Sequence, residues 1–508
     1  MSIAVVKSLV LSGLEAHPIV VEVDIHNGLP SFDLVGLPSA SVREAKERVR
    51  AAIKNAGFQF PMQRITVNLS PADLKKEGSH LDLPIAIGIL AASGSIPAPD
   101  SDTCWLGELS LDGTVRPVPG VLPMILHLAR TQSETRVVIP AANRGEASLV
   151  PHPCNLCTTL TEAAESLAED KPLPALTPDD TLLAPIMEFT VDFTDIKGQA
   201  SSKRALEVAA AGGHNLLLVG PPGSGKTMLA RRVSTILPPM KRDEILETTQ
   251  IYSIGGLLTP EMPLIASRPF RTPHKGASAS SIVGGGRIPK PGEISLAQNG
   301  VLYLDEIAEF PREVLEGLRQ PLEDRKVTIA RAHSTSTYPC NFTLIASCNP
   351  CPCGYLGDPS RSCTCSDTQI RSYFNRLSGP FLDRIDLQVE VPRVPFDDLN
   401  ETRPPESSAA IRERVNQARA RQASRYAELG FSLNAELPPR ELRKVCRLGP
   451  AASDLLRHAF QSLALSARGH DRVLRVARTV ADLEGKDLIG PEHVAEAIRY
   501  RGFDRRYP

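Results

Sequence analysis

The chain has 508 residues, 42% of them hydrophobic and 23% charged, a composition that suits a globular protein of roughly three domains. Its mean hydropathy is -0.11, and no apolar run approaches the roughly 18 residues of a membrane helix, so a membrane-spanning function is excluded from the expectation. A net charge of -1 gives no overall attraction to nucleic acid, and any such binding must come from local patches or a central channel.

Residues 1–7 lack the charged start, apolar core and cleavage site of a secretory signal, which predicts a cytoplasmic protein. Residues 1–168 read as one mixed α/β domain. Strands are expected at 19–25 and 65–69. An amphipathic helix is expected at 41–56, with Ser41 as its cap and Gly57 behind it, and a buried helix at 83–92. A helix at 118–129 should feed a strand at 137–140. Segment 76–82 loosely resembles the region around the active serine of Lon-type proteases, yet Gly78-Ser-His-Leu-Asp82 stands where those enzymes carry a Gly-Pro-Ser-Ala-Gly-like run. Ser79 and His80 are chain neighbours, which rarely face each other, so a peptidase is the least favoured reading. Cys154 and Cys157 have C-x-x-C spacing after His152 but no second pair nearby, and are expected as free thiols. Residues 169–190, rich in Pro, Asp and Thr, read as a linker.

An ATPase core is expected over 191–392. The apolar run 216–219 reads as a buried strand entering Gly220, Pro221, Pro222, Gly223, Ser224, Gly225, Lys226 and Thr227, with a helix from Met228 to Ile236. Gly220, Gly225, Lys226 and Thr227 meet the G-x-x-x-x-G-K-T spacing. The glycines let backbone N–H groups face inward, and a helix N-terminus adds partial positive charge, the pattern that cradles phosphates. Lys226 is expected on the β/γ-phosphates of ATP and the Thr227 hydroxyl on Mg2+, with Met228 closing the site. A second apolar run ends in Asp305 and Glu306: the first suits Mg2+, held through water, and the second suits polarising an attacking water. Segment 193–199, ahead of an alanine-rich helix at 201–211, is expected near the adenine.

Between these motifs, 251–287 reads as a long glycine-rich insertion carrying Arg268, Arg271, His274, Lys275 and Arg287. It is expected to be a pore loop that contacts phosphates, the alternative being a solvated excursion. A helix follows at 312–322, then a hairpin with Arg331 and His333 at its tip, a further DNA contact. The core strand at 342–347 leads to Asn349, placed to orient water near the γ-phosphate. Cys351, Cys353, Cys363 and Cys365 form two C-x-C pairs, and structural zinc and reduced thiols both remain open for them. Arg384 is expected to reach a neighbour's nucleotide, the alternative being an intrachain pair with Asp383 or Asp386. After a linker at 393–408, residues 409–508 read as a helical lid. Arg414, Arg421 and Arg425 are expected on a solvated face. Val473, Val476, Ala477 and Val480 should pack inward, and Arg468 is the expected lid sensor, with Arg475 as second choice. Basic Arg501, Arg505 and Arg506 mark the tail.

The whole chain resembles the ComM/YifB group of magnesium-chelatase-like AAA+ proteins. The resemblance is carried by runs 28–38, 48–55, 220–227 and 292–300, by Asp305-Glu306, by the cysteines from Cys348 to Cys365, and by 467–483. It implies a P-loop AAA+ core with a helical lid behind a Lon-like (ribosomal-protein-S5-like) α/β domain without catalytic residues. It also implies hexameric rings with ATP between subunits, and a DNA helicase driving branch migration on branched or single-stranded DNA during natural transformation. A remodelling chaperone of the chelatase type, acting on a protein partner, is the alternative.

Overall fold

Strand Glu15–His26 buries alternate residues, among them Ile19, Val21, Val23 and Ile25, so one face is committed to a core. The computed structural model describes residues 3–169, 171–286, 289–331, 334–399, 405–463 and 465–501. Seven strands form the first sheet, in the order Ser31–Val35, Arg64–Ser70, Glu15–His26, Ala4–Ser12, Thr103–Trp105, Arg136–Pro140 and Cys154–Cys157. The pairings of Glu15–His26 are antiparallel and the outer ones parallel. Helices Ala40–Asn55 and Asp82–Ala92 pack with Val6, Val21 and Val23 in one cluster, while helix Val121–Thr131 packs with Leu9 in another. The first helix is capped by Ser39, whose Oγ accepts from the Val42 N–H, and not by Ser41. Residues 171–176 lie along the last strand, with Leu156 N–H donating to Pro174 O and Leu176 N–H to Cys154 O.

The second sheet has five parallel strands, ordered Phe270–Arg271, Val301–Leu304, Thr343–Cys348, Leu216–Val219 and Leu387–Glu390. Strands Leu216–Val219 and Val301–Leu304 are buried throughout, which is why they read as unbroken apolar runs. The three central strands are adjacent and parallel, so the residues that follow them emerge at one edge of the sheet. The five helices Ser408–Tyr426, Pro439–Val445, Pro450–Ser462, Ala467–Leu483 and Pro491–Arg499 follow the sheet. Val473, Val476, Ala477 and Val480 are buried as expected.

Two further expectations need correction. Residues 251–255 are not insertion: Ile251 and Tyr252 are buried in helix Arg242–Gly255, whose apolar positions were hidden among polar ones. Arg421 is exposed as expected, but Arg425 is drawn inward by its pair with Asp482, and Arg414, though partly exposed, pairs with Glu207 and Glu406. Arg501 is buried and donates to Ile385 O, while Arg505 and Arg506 lie outside the described residues.

The two sheets are docked through helices. Ser253 of helix Arg242–Gly255 donates its hydroxyl to buried Glu146, and the Gly120 N–H donates to both Ser253 Oγ and Ser253 O at 3.1 Å. Met240 and Ile245 join the apolar cluster of helix Val121–Thr131.

Candidate active site

The turn after Leu216–Val219 is built on its glycines. A side chain at Gly220 would meet Val391 O at 2.2 Å, and Gly223 and Gly225 take φ of 78° and 89°, in the left-handed region that L side chains avoid. Helix Lys226–Ile236 starts directly behind. Together these residues line a cleft of about 480 Å³ with Pro222, Gly223, Ser224, Gly225, Lys226, Thr227 and Met228 on one side and Asp305, Glu306 and Asn349 on the other. Pro221 sits at the base of the turn, where its carbonyl accepts from Lys226 Nζ at 3.0 Å.

Lys226 Nζ also donates to Gly220 O at 2.7 Å and to Asn349 Oδ1 at 3.3 Å. Burial lowers its pKa, opposed by the charges of Asp305 and Glu306. Thr227 Oγ1 donates to Asp305 Oδ2 at 3.1 Å. The other carboxylate oxygen accepts from Tyr303 OH at 2.9 Å, Ser347 Oγ at 2.5 Å and the Glu306 N–H at 3.1 Å. Burial alone would raise the Asp305 pKa. The bonds from Ser347, Tyr303 and Thr227 outweigh it, so the carboxylate stays ionised. Tyr303 and Ser347 were missed in the sequence. Each lies on a strand flanking a motif, where apolar neighbours gave no sign that a hydroxyl faces the site.

Glu306 has a backbone φ of 51°, which turns it out of the strand direction. Its Oε2 pairs with Lys275 Nζ at 2.6 Å, both side chains being about half exposed. This changes the reading of the 268–287 segment. Arg268 donates to Pro238 O, Asn299 O and Glu244, and Arg271 pairs with Glu293, so both arginines brace the fold and neither is free for phosphate. Lys275 belongs to the cleft's rim. Arg331 is exposed next to the turn of hairpin Lys326–Arg331 and Ser334–Pro339; His333 and Arg287 lie outside the described residues. Beside the cleft, a smaller apolar recess of about 110 Å³ is lined by Ile196, Gln199, Met228, Leu229 and Val394, which brings part of segment 193–199 next to the cleft.

Arg384 and Arg468 are not among the residues lining the cleft. Arg384 donates to Arg319 O and pairs with Glu323, not with Asp383 or Asp386. Arg472, one turn beyond exposed Arg468 on helix Ala467–Leu483, pairs instead with Asp383 at 3.8 Å and Asp386 at 3.4 Å. The start of that helix is therefore tied to the loop bearing Arg384. Arg475 is turned away, donating to Leu437 O.

Sγ atoms of Cys351, Cys353, Cys363 and Cys365 all lie within 4.8 Å of one another, a set compatible with one tetrahedral metal ion. Cys154 and Cys157 differ: they face opposite sides of a strand into separate apolar clusters, and burial pushes both thiols up to about 12. Ser79 and His80 diverge as well. Ser79 donates to Glu108, while His80 Nε2 lies 2.8 Å from Leu9 O in the core, so no nucleophile–base pair exists there.

Three family models match the chain: "Magnesium chelatase, subunit ChlI" over 192–399, "Subunit ChlI of Mg-chelatase" over 21–143, and "Magnesium chelatase, subunit ChlI C-terminal" over 405–501. The chain is 46% identical to the "Competence protein ComM" of Haemophilus influenzae over 515 residues, covering 99% of this chain and 98% of that one. It is 44% identical to the YifB protein of Salmonella typhimurium over 509 residues, with 99% and 98% covered. A shorter match, 34% over 155 residues and 28% of this chain, reaches 27% of "Lon protease 2" of Bacillus subtilis.

Proposed function

The chain belongs to the ComM/YifB group of magnesium-chelatase-like AAA+ proteins, and from that premise we propose that it is an ATP-driven ring motor acting on branched or single-stranded DNA. The observation that carries the ATPase part is the convergence of Lys226, Thr227, Asp305, Glu306 and Asn349 on one cleft. Lys226 and the turn's N–H groups bind the phosphates. Thr227 and Asp305 would hold Mg2+, which when bound would supply charge neutralisation at the phosphates, and Glu306 orients water. Zinc in the four-thiol cluster is the second metal of this reading.

Arg384 and Arg468, on adjacent elements away from their own cleft, form the complementary half of the site for the next subunit of a hexamer. The division of labour follows the elements: an α/β domain at 1–168, a linker at 169–190, a core at 191–392, a linker at 393–408 and a helical lid at 409–508. The DNA part draws support from the competence role in the printed name of the Haemophilus relative. In a ring, positively charged loops such as the Arg331 hairpin track a phosphate backbone despite a neutral net charge. The reaction it serves is branch migration in recombination during transformation. The second reading is a chelatase-type chaperone remodelling a protein partner, which the family models favour by name.

The experiment measures ATP turnover of the wild type and Lys226→Ala, with and without forked DNA. Turnover that is abolished in the variant and stimulated by the fork is the expected result. Turnover indifferent to every DNA added removes the DNA motor in favour of the chaperone, and turnover surviving Lys226→Ala removes the site itself.

A further inference from the structure

The four-cysteine loop is built into the nucleotide cleft. It begins two residues after Asn349, at Cys351, which is fully buried. At Gly354 the loop backbone lies against the phosphate turn: a Cβ there would be 2.7 Å from Pro222 Cδ and 3.8 Å from Asn349 Cγ, and φ is +85°. Only glycine allows so close an approach in that conformation. Further along, Asp358 pairs with Arg393 at 2.9 Å. Arg393 directly precedes Val394, which lines the apolar recess beside the phosphate turn. The Tyr355 ring receives Arg361 at 4.3 Å and Arg393 at 5.9 Å. One short loop thus touches the water-orienting Asn349, the phosphate turn, and the segment leading to the recess.

The loop has little apolar content to hold this shape, and residues 359–362 are all exposed. Its thiols supply the missing cross-link. Cys351 Sγ lies 3.3 Å from Cys353 Sγ and 3.6 Å from Cys363 Sγ, and Cys353 to Cys363 is 3.6 Å. These separations exceed a disulfide bond, of about 2.05 Å, and approach the roughly 3.8 Å expected between ligands of a tetrahedral ion with Zn–S bonds of about 2.3 Å.

We propose that this cluster holds a zinc ion whose role is to clamp Asn349 and the phosphate turn in register, so that ATP turnover depends on a second metal besides Mg2+. The role rests on the ATPase reading; the metal site does not. As the ion binds, four thiols release protons to solvent and four Zn–S bonds form, with no change of oxidation state. Asn349 is the group most affected. It follows the last residue of strand Thr343–Cys348, and the clamp begins where the strand's own hydrogen bonds end. Lys226 meets the clamp only through Asn349 Oδ1 and keeps its bonds to Gly220 O and Pro221 O, while Thr227 is held by Asp305, so nucleotide binding should outlast the clamp's loss.

The test compares wild type, Cys363→Ser and Cys363→His. Three quantities are measured on each: zinc per chain by elemental analysis, binding of a fluorescent ATP analogue, and steady-state turnover, with circular dichroism confirming the fold. The wild type should carry about one zinc per chain. Cys363→Ser should lose it and fall in kcat by roughly 10–100-fold while still binding the analogue. Cys363→His, which keeps a zinc ligand, should recover both metal and turnover. A metal-free wild type, or a Cys363→Ser protein that loses zinc yet turns over normally, overturns the clamp. A wild type that carries zinc but never hydrolyses ATP overturns the ATPase reading and leaves the metal site standing.

Discussion

Asp386→Asn probes how the loop carrying Arg384 is held against the core. The Asp386 carboxylate accepts from the Asn215 N–H at 3.1 Å and lies 3.6 Å from His214 Nδ1 and 3.4 Å from Arg472 Nε. Asn215 in turn accepts from the Asp386 and Leu387 N–H groups and donates to Arg384 O at 3.0 Å. Burial alone would raise the carboxyl's pKa, but the His214 imidazole beside it, then the charges of Arg472 and Arg475, hold it at about 2 against an ordinary 3.8. At about 1.4 kcal/mol per pH unit, that depression corresponds to roughly 2–3 kcal/mol of native-state stability. A depressed carboxyl contributes fully above its unfolded pKa, and the contribution is lost as pH falls through the folded value. The deficit of Asp386→Asn should therefore be complete between about pH 5 and 7 and shrink as pH falls from about 3.8, where the unfolded chain takes up the proton, to about 2, where the native carboxylate does. Thermal melts by circular dichroism read it as a drop of roughly 4–10 °C in the unit containing the second sheet. Equal melting temperatures at pH 7, or a deficit that persists unchanged below pH 3, would refute the argument.

Arg384→Ala should bind nucleotide normally but lose turnover by roughly 10³-fold or more, and adding it to wild type should poison mixed rings; normal turnover by the variant removes it from the neighbour's site. Lys275→Ala releases Glu306 from its ion pair, so DNA-free turnover should rise several-fold with DNA affinity unchanged. Weakened DNA binding, measured by fluorescence anisotropy across salt concentrations, would instead return Lys275 to the DNA-contact role. Ser253→Ala removes the Glu146 bond that crosses between the two sheets, leaving the Leu122 N–H and Asn143 Nδ2 as its donors, at a cost of about 1 kcal/mol. A glutamate-specific protease should then cut after exposed Glu188, in the segment joining the two sheets, faster than in wild type, and an unchanged rate would show that the junction does not depend on this bond.

The phosphate turn, Asp305-Glu306, Asn349 and the cysteine pairs were legible in the sequence because each is a local pattern: glycines where the backbone must curl, carboxylates where an apolar strand ends, thiols at short spacing. The parallel core strands were legible for a related reason, since burial on both faces leaves an uninterrupted apolar run such as 216–219. Partnership at long range was not legible. Nothing in segment 268–275 distinguishes Arg268 and Arg271, committed to Glu244 and Glu293, from Lys275 at the cleft rim, since all three are basic residues in a polar stretch. Tyr303 and Ser347 acquire a role at Asp305 only when two strands lie side by side. Arg414 and Arg425 looked like a wet helix face until acids from Glu207 and Asp482 were brought against them. The identity of a motif is written in neighbouring residues and survives translation into a linear string. The partner of a charged side chain is chosen by packing, across 22 positions for Arg271 and Glu293 and 207 for Arg414 and Glu207, and only the folded chain brings the two together.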